Sequence, residues 1–270
     1  MSCPWFLLAT GLACQALSAR VQDAAGPLQS GLVRSLELES PPGTFEQHFR
    51  LDREGARADE LPLALMRYVA GPDPAGGVRA DLELAYLADG LRLIHTERAS
   101  PTNRRVVFRE LGERAGRTLF LEGTPEAGFE GYELGGPEVV RHELDQSGGR
   151  GGELPLLLIE SARLGLNGPD QLAVLDPLAA LFEPLQLETR LLGAEREFEA
   201  RRADGSLRWR VSLRGQELIE WRFQERGPAA RAVPREEFEH LRGQHDLAVR
   251  TAREAAAEVE AKKHPALRRR

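Results

Sequence analysis

Residues 185–225 read LQLETRLLGAEREFEARRADGSLRWRVSLRGQELIEWRFQE and contain four runs in which apolar and polar side chains alternate. The runs are Leu185–Leu192, Glu195–Arg202, Ser206–Leu213 and Glu217–Glu225. A period of two is typical of strands with one buried face. The breaks between the runs carry turn residues, and Asp204-Gly205 suits a tight type I′ turn because glycine tolerates positive φ. This stretch therefore predicts a four-stranded antiparallel meander.

The two later turns predict the register of this meander. A two-residue loop at Asp204-Gly205 and a three-residue loop at 214–216 put both indoles on the same face. The predicted pairs are Phe198–Val211, Ala200–Trp209, Trp209–Trp221, Val211–Ile219 and Leu207–Phe223. A rival register shifted by two residues puts Gly215 in a left-handed bulge and loses the aromatic pairs, each of which contributes roughly 0.2–1 kcal/mol. The register with the aromatic pairs is therefore favoured.

The opposite face of the meander is charged. In the predicted register Glu199, Arg210 and Glu220 form one row of alternating sign. Arg201, Arg208 and Arg222 form the next row, and three like charges side by side oppose strand pairing. This arginine row is a candidate anion-binding site. Alternatively, Glu199 and Glu220 neutralise it on a solvated face.

Composition bounds the classes of function. The chain has 270 residues, a net charge of −6 and two cysteines, which suits a globular protein of one or two domains and argues against a general nucleic-acid binder. The histidines are scattered without metal-ligand spacing, and no phosphate-binding loop or other cofactor motif is present. We therefore expect no metal and no cofactor. Carboxylates are numerous, so a hydrolase with dispersed acids stays open as an alternative.

The N-terminal residues form a short apolar run that ends in small residues. Residues 1–19 resemble a secretory signal, although they contain no Lys or Arg before the apolar run. They predict export to the periplasm or cell envelope. Both cysteines, Cys3 and Cys14, lie in this segment, so a mature chain has no disulfide. A lipid anchor at Cys14 is one alternative, and a cytoplasmic protein with a false signal is another. No stretch is apolar enough to predict a transmembrane span.

Further strands and three helices are predicted around the meander. Apart from one hairpin, the further strands are Thr44–Asp52, Arg105–Leu111, Arg117–Glu122 and Glu138–Asp145, whereas Leu61–Ala70 is ambiguous. Val78–Leu87 and Leu91–Arg98 form a hairpin that puts His95 on the apolar face opposite Leu84, where a core histidine is the alternative to a ligand-binding one. Helices are predicted near residues 153–164 and 176–182, the second because Asp176-Pro177 has the chemistry of an N-cap followed by an N1 proline. Pro234 opens a long C-terminal helix. We thus expect one β-rich domain over residues 20–233, and a helix with a basic tail over 234–270.

The predicted fold class is α+β: a curved, mostly antiparallel, half-barrel-like sheet of about eight to eleven strands, with two helices packed on one face and a long C-terminal helix. This layout resembles, in architecture, the envelope carriers that escort lipoproteins or lipids. The resemblance implies a non-catalytic binding protein for an apolar or amphipathic ligand such as a lipid. The expected ligand wall consists of Phe198, Trp209, Val211, Ile219, Trp221, Phe223 and His95, and the alternative is that these residues form the core. An envelope scaffold that binds a protein partner through the C-terminal helix is a rival hypothesis.

Overall fold

The computed structural model describes residues 43–251 apart from 58–59, 89, 101, 113–115, 125–126, 145–151, 166–170, 226, 245 and 248–250. The strands are β1 (Phe45–Asp52), β2 (Ala64–Pro72), β3 (Val78–Tyr86), β4 (Arg92–Ala99), β5 (Arg104–Leu111), β6 (Arg117–Thr124), β7 (Gly128–Leu134), β8 (Val140–Leu144), β9 (Gly152–Glu153), β10 (Gln171–Asp176), β11 (Leu181–Leu192), β12 (Glu195–Arg201), β13 (Leu207–Arg214), β14 (Glu217–Arg222) and β15 (Ala229–Val233). One helix, α1 (Pro155–Arg163), lies between β9 and β10.

All the strands belong to one sheet in the order β8-β7-β6-β5-β4-β3-β2-β1-β15-β14-β13-β12-β11-β10-β9. Every pair is antiparallel except β9 with β10. Among the described residues, the sheet therefore consists of two meandering arms, β1 to β8 and β9 to β15, and the strand pairing that joins them is that of β1 with β15. A ring contact of 5.4 Å between Phe129 on β7 and Phe182 on β11 joins the two arms on the side of the sheet that carries α1. We call this side the inner face.

The predicted fold class is wrong in three respects. The described residues form one open sheet of fifteen strands rather than a half-barrel-like sheet of eight to eleven. The strands β7, β9 and β10 were not predicted, and the stretch that forms β2 was ambiguous. Residues 176–182 are not a helix: Asp176 ends β10, and its carboxylate accepts hydrogen bonds from the N–H groups of Leu178 (3.0 Å) and Ala179 (3.4 Å) in the turn to β11. The acceptor geometry of an N-cap thus serves a turn between strands.

The third correction concerns the C-terminal helix. Residues 235–244 are helical, but beyond them only 246–247 and 251 are described, so no long C-terminal helix is shown. Phe238 and Leu241 are buried against Leu65 on the outer face of the sheet, and the Phe238 ring lies 4.6 Å from the His48 ring. The apolar stripe predicted for this helix is thus buried at Phe238 and Leu241. The predicted signal segment with Cys3 and Cys14, and the basic tail, lie outside the described residues.

The predicted meander at 185–225 is confirmed. The register predicted between its second and third strands, β12 and β13, is also confirmed. Phe198 pairs with Val211 and Ala200 with Trp209, and Trp209 and Trp221 both lie in the core. The β13–β14 register is wrong. The loop has two residues, Gly215 with φ 63° and Gln216, so Arg214 pairs with Glu217 and a bulge after Ser212 sets Val211 opposite Trp221.

The β3–β4 hairpin keeps its predicted faces but not its predicted pairs. His95 pairs with Leu82 rather than Leu84, and Leu84 pairs with Leu93. The loop is longer than two residues, since the N–H of Tyr86 donates to the carbonyl of Leu91. A shift of two residues leaves every side chain on the same face.

Helix α1 fills the inner side of the sheet. Leu156 and Ile159 are at most 1% exposed, and each such burial stabilises the fold by roughly 1.5–3 kcal/mol. Its first turn has no side-chain cap of its own. Instead, the Glu97 carboxylate on β4 accepts a hydrogen bond from the N–H of Leu157 at 2.9 Å, and Arg196 on β12 donates to the carbonyl of Ala162 at 2.7 Å. An anion at the N-terminus and a cation at the C-terminus complement the helix dipole.

Candidate ligand-binding cleft

Two aromatic rings stack on the outer face of the first arm. Leu119 and Leu121 on β6 are fully buried on the inner face, so alternation turns Phe120 outward. Tyr132 on β7 pairs with Phe120, and their ring centroids are 5.5 Å apart with an interplanar angle of 29°. Both side chains are half-buried. The sheet thus presents a pair of stacked aromatic rings, here called the aromatic platform, on the side away from its core.

The platform lines a cleft of about 1030 Å³ over β6, β7 and β8. Glycine backbone forms part of its wall, at Gly123, Gly128 and Gly131. A Cβ on Gly131 would lie 1.9 Å from the carbonyl oxygen of Phe120, so no other residue fits there without a backbone shift. Close approach of β6 and β7 is therefore built into the cleft.

The rim of the cleft is charged and hydrogen-bonding. Asn103 donates to the Glu122 carboxylate, which also forms an ion pair with Arg105 at 3.1 Å. On the far side, Arg141 forms ion pairs with Glu143 at 3.1 Å and Glu130 at 3.5 Å. These last three side chains are about two-thirds to three-quarters exposed, so their remaining donors and acceptors face solvent.

Behind the cleft, a second ion cluster fixes the inner side of β7. The Glu133 carboxylate accepts hydrogen bonds from Arg117 at 2.6 and 2.8 Å and contacts His142 at 3.2 Å. The Arg117 hydrogen bonds are the main reason that the pKa of Glu133 lies below its usual value. Arg117 also donates to the carbonyl of Leu178 in the β10–β11 turn. This cluster ties the cleft strands to the other arm.

The residues of the predicted ligand wall do not line this cleft. Four are buried in the core: Phe198, Trp209, Val211 and Trp221. Phe223 is partly buried against that core and stacks on Trp221 at 5.6 Å, whereas Ile219 is half-buried outside it. Most residues of the predicted ligand wall therefore pack in or against the hydrophobic core.

His95 lies on the inner face and is buried. Its Nε2 is 2.9 Å from Oε1 of Glu97, which stands two residues away on the same face of β4, although the contact lacks hydrogen-bond geometry. The other Glu97 oxygen caps α1. The sequence analysis placed no carboxylate beside His95, although the spacing of two residues in a strand brings Glu97 to the same face.

The three arginines of the candidate anion site do not form one row. A bulge between Ala200 and Arg201 sets Arg201 opposite Leu207, and Arg222 pairs with Arg210. Each arginine has acidic partners, which are Glu199 and Glu225 for Arg201, Asp176 and Glu183 for Arg208, and Glu220 for Arg222. Glu199 and Glu220 thus pair with two of the arginines, although Glu199 is buried and does not lie on a solvated face.

The sequence pattern predicts one of the two rings of the aromatic platform but not the other. Phe120 stands between two leucines of a predicted strand, and that alternation alone exposes it. Tyr132 was out of reach because β7, with Gly128 and Gly131, has low strand propensity.

No group of three or more potential metal ligands gathers among the described residues. No helix in the described ranges is long and apolar enough to cross a membrane. No known protein family, curated protein or solved structure matches this chain.

Proposed function

We propose that this chain is a non-catalytic binding protein of the cell envelope, and that it holds an amphipathic ligand in the cleft over β6, β7 and β8. The observation that carries the proposal is a pair of stacked rings, Phe120 and Tyr132, on the outer face of the sheet. Both rings line a cleft of about 1030 Å³. Ligand sites of this volume combine apolar surface with a few polar groups that fix orientation. Export follows from the apolar N-terminal segment.

The charges around the cleft favour binding over hydrolysis. A glycosidase-like pair needs one carboxyl group that is free to give a proton and a second that attacks or activates water. Here Glu122 is held by Asn103 and Arg105, and Arg141 lies between Glu130 and Glu143. The carboxylates of the cleft are thus engaged in hydrogen bonds and ion pairs, which suits binding a polar part of a ligand better than proton transfer.

The test is capture of small molecules by the purified full-length chain. Wild type and the double variant Phe120→Ala/Tyr132→Ala are dialysed against an envelope extract of the expression host, and bound small molecules are quantified by mass spectrometry. Circular dichroism and the emission of the buried Trp209 and Trp221 check that both proteins are folded. The proposal predicts molecules that wild type enriches at least tenfold over the double variant. Equal enrichment by both proteins, or none by either, would refute it.

A further inference from the structure

Arg109 on β5 is a buried arginine that lacks an acidic partner in the part of the chain that the structure describes. Three arginines of these residues are buried, namely Arg50, Arg109 and Arg163. Arg50 forms an ion pair with Asp52 at 2.9 Å, and Arg163 forms one with Glu160 at 2.6 Å. Arg109 is only 6% exposed, yet its guanidinium forms no hydrogen bond or ion pair with any described residue.

The positive charge of Arg109 is therefore not compensated within the described residues. Burial alone lowers the pKa of Arg109, whereas the hydrogen bonds that Arg163 donates to Glu160 are the main reason that the pKa of Arg163 is raised. A guanidinium nevertheless stays protonated in proteins, and an unpaired buried charge costs free energy that a partner would offset. The missing counter-charge points to a ligand that supplies it.

The neighbours of Arg109 in the sheet contain no carboxylate. Phe108 belongs to the core on the inner side, so alternation places Arg109 on the outer face. Its neighbours on this face are Ile94 on β4, Thr118 on β6, and Val107 and Leu111 on β5. Thr118 is the polar member of this set, and its hydroxyl group can donate a hydrogen bond. The surroundings of Arg109 are thus apolar, with one further donor beside it.

The nearest carboxylate in this row of the sheet is already engaged. Glu83 on β3 stands opposite Ile94, two strands away from Arg109, and it forms an ion pair with Arg92. The nitrogens of Arg109 are not among the completely shielded, unpartnered atoms of the described residues. They therefore keep contact with solvent, and an anion from solution can reach them.

We propose that Arg109 and Thr118 bind an oxyanion, a phosphate or a carboxylate group, on the outer face of the sheet. The planar guanidinium has five N–H donors in a fork that matches two oxygen atoms of such a group. Neither Arg109 nor Thr118 lines the cleft over β6, β7 and β8. The anion site is therefore separate from that cleft and does not depend on the proposed function.

The experiment measures the affinity of the full-length chain for inorganic phosphate, acetate, octyl phosphate and octanoate by titration calorimetry, with the last two below their micelle concentrations. The first two probes represent a free anion, and the last two carry the same groups on an apolar chain, as a lipid does. We expect wild type to bind at least one probe. Arg109→Met, which removes the charge, should weaken that binding tenfold or more, and Arg109→Lys, which keeps the charge without the fork, threefold or more. The control Arg214→Met removes an exposed arginine elsewhere and should leave the affinity unchanged.

Urea unfolding supplies a second measurement. Without an added anion, Arg109→Met should unfold at the same urea concentration as wild type or a higher one, because an apolar side chain replaces an unpaired buried charge. A probe that wild type binds should raise the urea midpoint of wild type but not that of Arg109→Met, because a ligand stabilises the state to which it binds.

Three results would overturn the anion site: no binding of any probe by wild type, equal binding by wild type and Arg109→Met, or a lower urea midpoint of Arg109→Met without anion, which would show that Arg109 has a structural partner. Tighter binding of the probes with an apolar chain supports the site with a lipid-like ligand, and equal affinities support it with a free anion. None of these results bears on the cleft, which the Phe120→Ala/Tyr132→Ala variant tests.

Discussion

The Glu160–Arg163 pair allows a sharp test of how the core holds α1. Arg163 donates to both oxygens of the Glu160 carboxylate at 2.7 and 2.6 Å, and both side chains are less than 10% exposed. The hydroxyl oxygen of Tyr68, which is fully buried, lies 3.3 Å from the carbonyl of Leu156 and 3.4 Å from the Glu160 carboxylate, and these two acceptors share its one O–H donor. Arg163 also lies 4.1 Å from the centre of the Phe45 ring. We consider two replacements: Arg163→Met alone, and Glu160→Met with Arg163→Met.

The single replacement leaves a buried carboxylate with only the Tyr68 hydroxyl as donor. Breaking a buried pair from one side costs roughly 3–5 kcal/mol of unfolding free energy, whereas replacing both partners by apolar residues of similar volume is often neutral. We therefore expect a loss of about 3–5 kcal/mol for Arg163→Met and of about 1 kcal/mol or less for the double variant.

The assay is urea unfolding followed by the emission of Trp209 and Trp221. The control is Arg214→Met, which removes an ion pair of 2.7 Å to Glu195 whose side chains are 64% and 37% exposed. Such an exposed pair contributes roughly 0–1 kcal/mol. If the double variant is as unstable as Arg163→Met, the loss comes from packing rather than from an isolated charge, and the reasoning fails.

Two further predictions concern the strands of the cleft. Gly131→Ala puts a Cβ 1.9 Å from the Phe120 carbonyl oxygen and should lower the free energy of unfolding in urea by about 2 kcal/mol or more. In the control Gly243→Ala the added Cβ meets no atom within 4 Å, and the better helix propensity of alanine should raise that free energy by about 0.5–1 kcal/mol. Equal effects of the two substitutions would contradict the clash. Because the pKa of Glu133 is lowered in the folded state, mainly by Arg117, its stabilisation is present above the unfolded pKa and lost as pH falls through the folded pKa. The Glu133→Gln variant should therefore unfold with a free energy lower than that of wild type by up to about 1 kcal/mol at pH 7. Acid unfolding curves should show this difference from wild type shrinking below about pH 4. A difference that stays constant from about pH 3 to 7 would argue against the ion pair.

The alternation of apolar and polar residues predicts a strand only where that pattern is strong within the strand itself. The strands β11 to β14 alternate cleanly, and their turns contain Gly193, Gly205 and Gly215 with positive φ, so that stretch was predictable. The strand β7 was missed because two of its residues are glycines, and pairing on both sides holds it in the sheet. The sequence contains no local signal for that support.

The errors in the register and in the second helix share a physical cause. A bulge changes which residues face each other without changing composition, so the pairing of Val211 with Trp221 follows from the whole sheet and not from the turn. Similarly, Asp176-Pro177 suits the start of a helix and the exit from a strand equally well, because in both the carboxylate accepts a nearby N–H. Tertiary context decides between them. For the cleft, periodicity exposed Phe120, but only the fold brought Tyr132 beside it.

The chain enters the sheet at β1 and leaves it at β15, and these neighbouring strands pair with His48 opposite Val233. Each arm grows by adding the next strand in sequence, so nearly all pairings are short-range, and one seam at the middle joins distant parts of the chain. Loop closure makes such a seam slow to form. Two copies of the chain that opened this seam, together with the contacts of α1 and of the β10–β11 turn with the first arm, could exchange an arm, so domain swapping is the misassembly expected of this architecture.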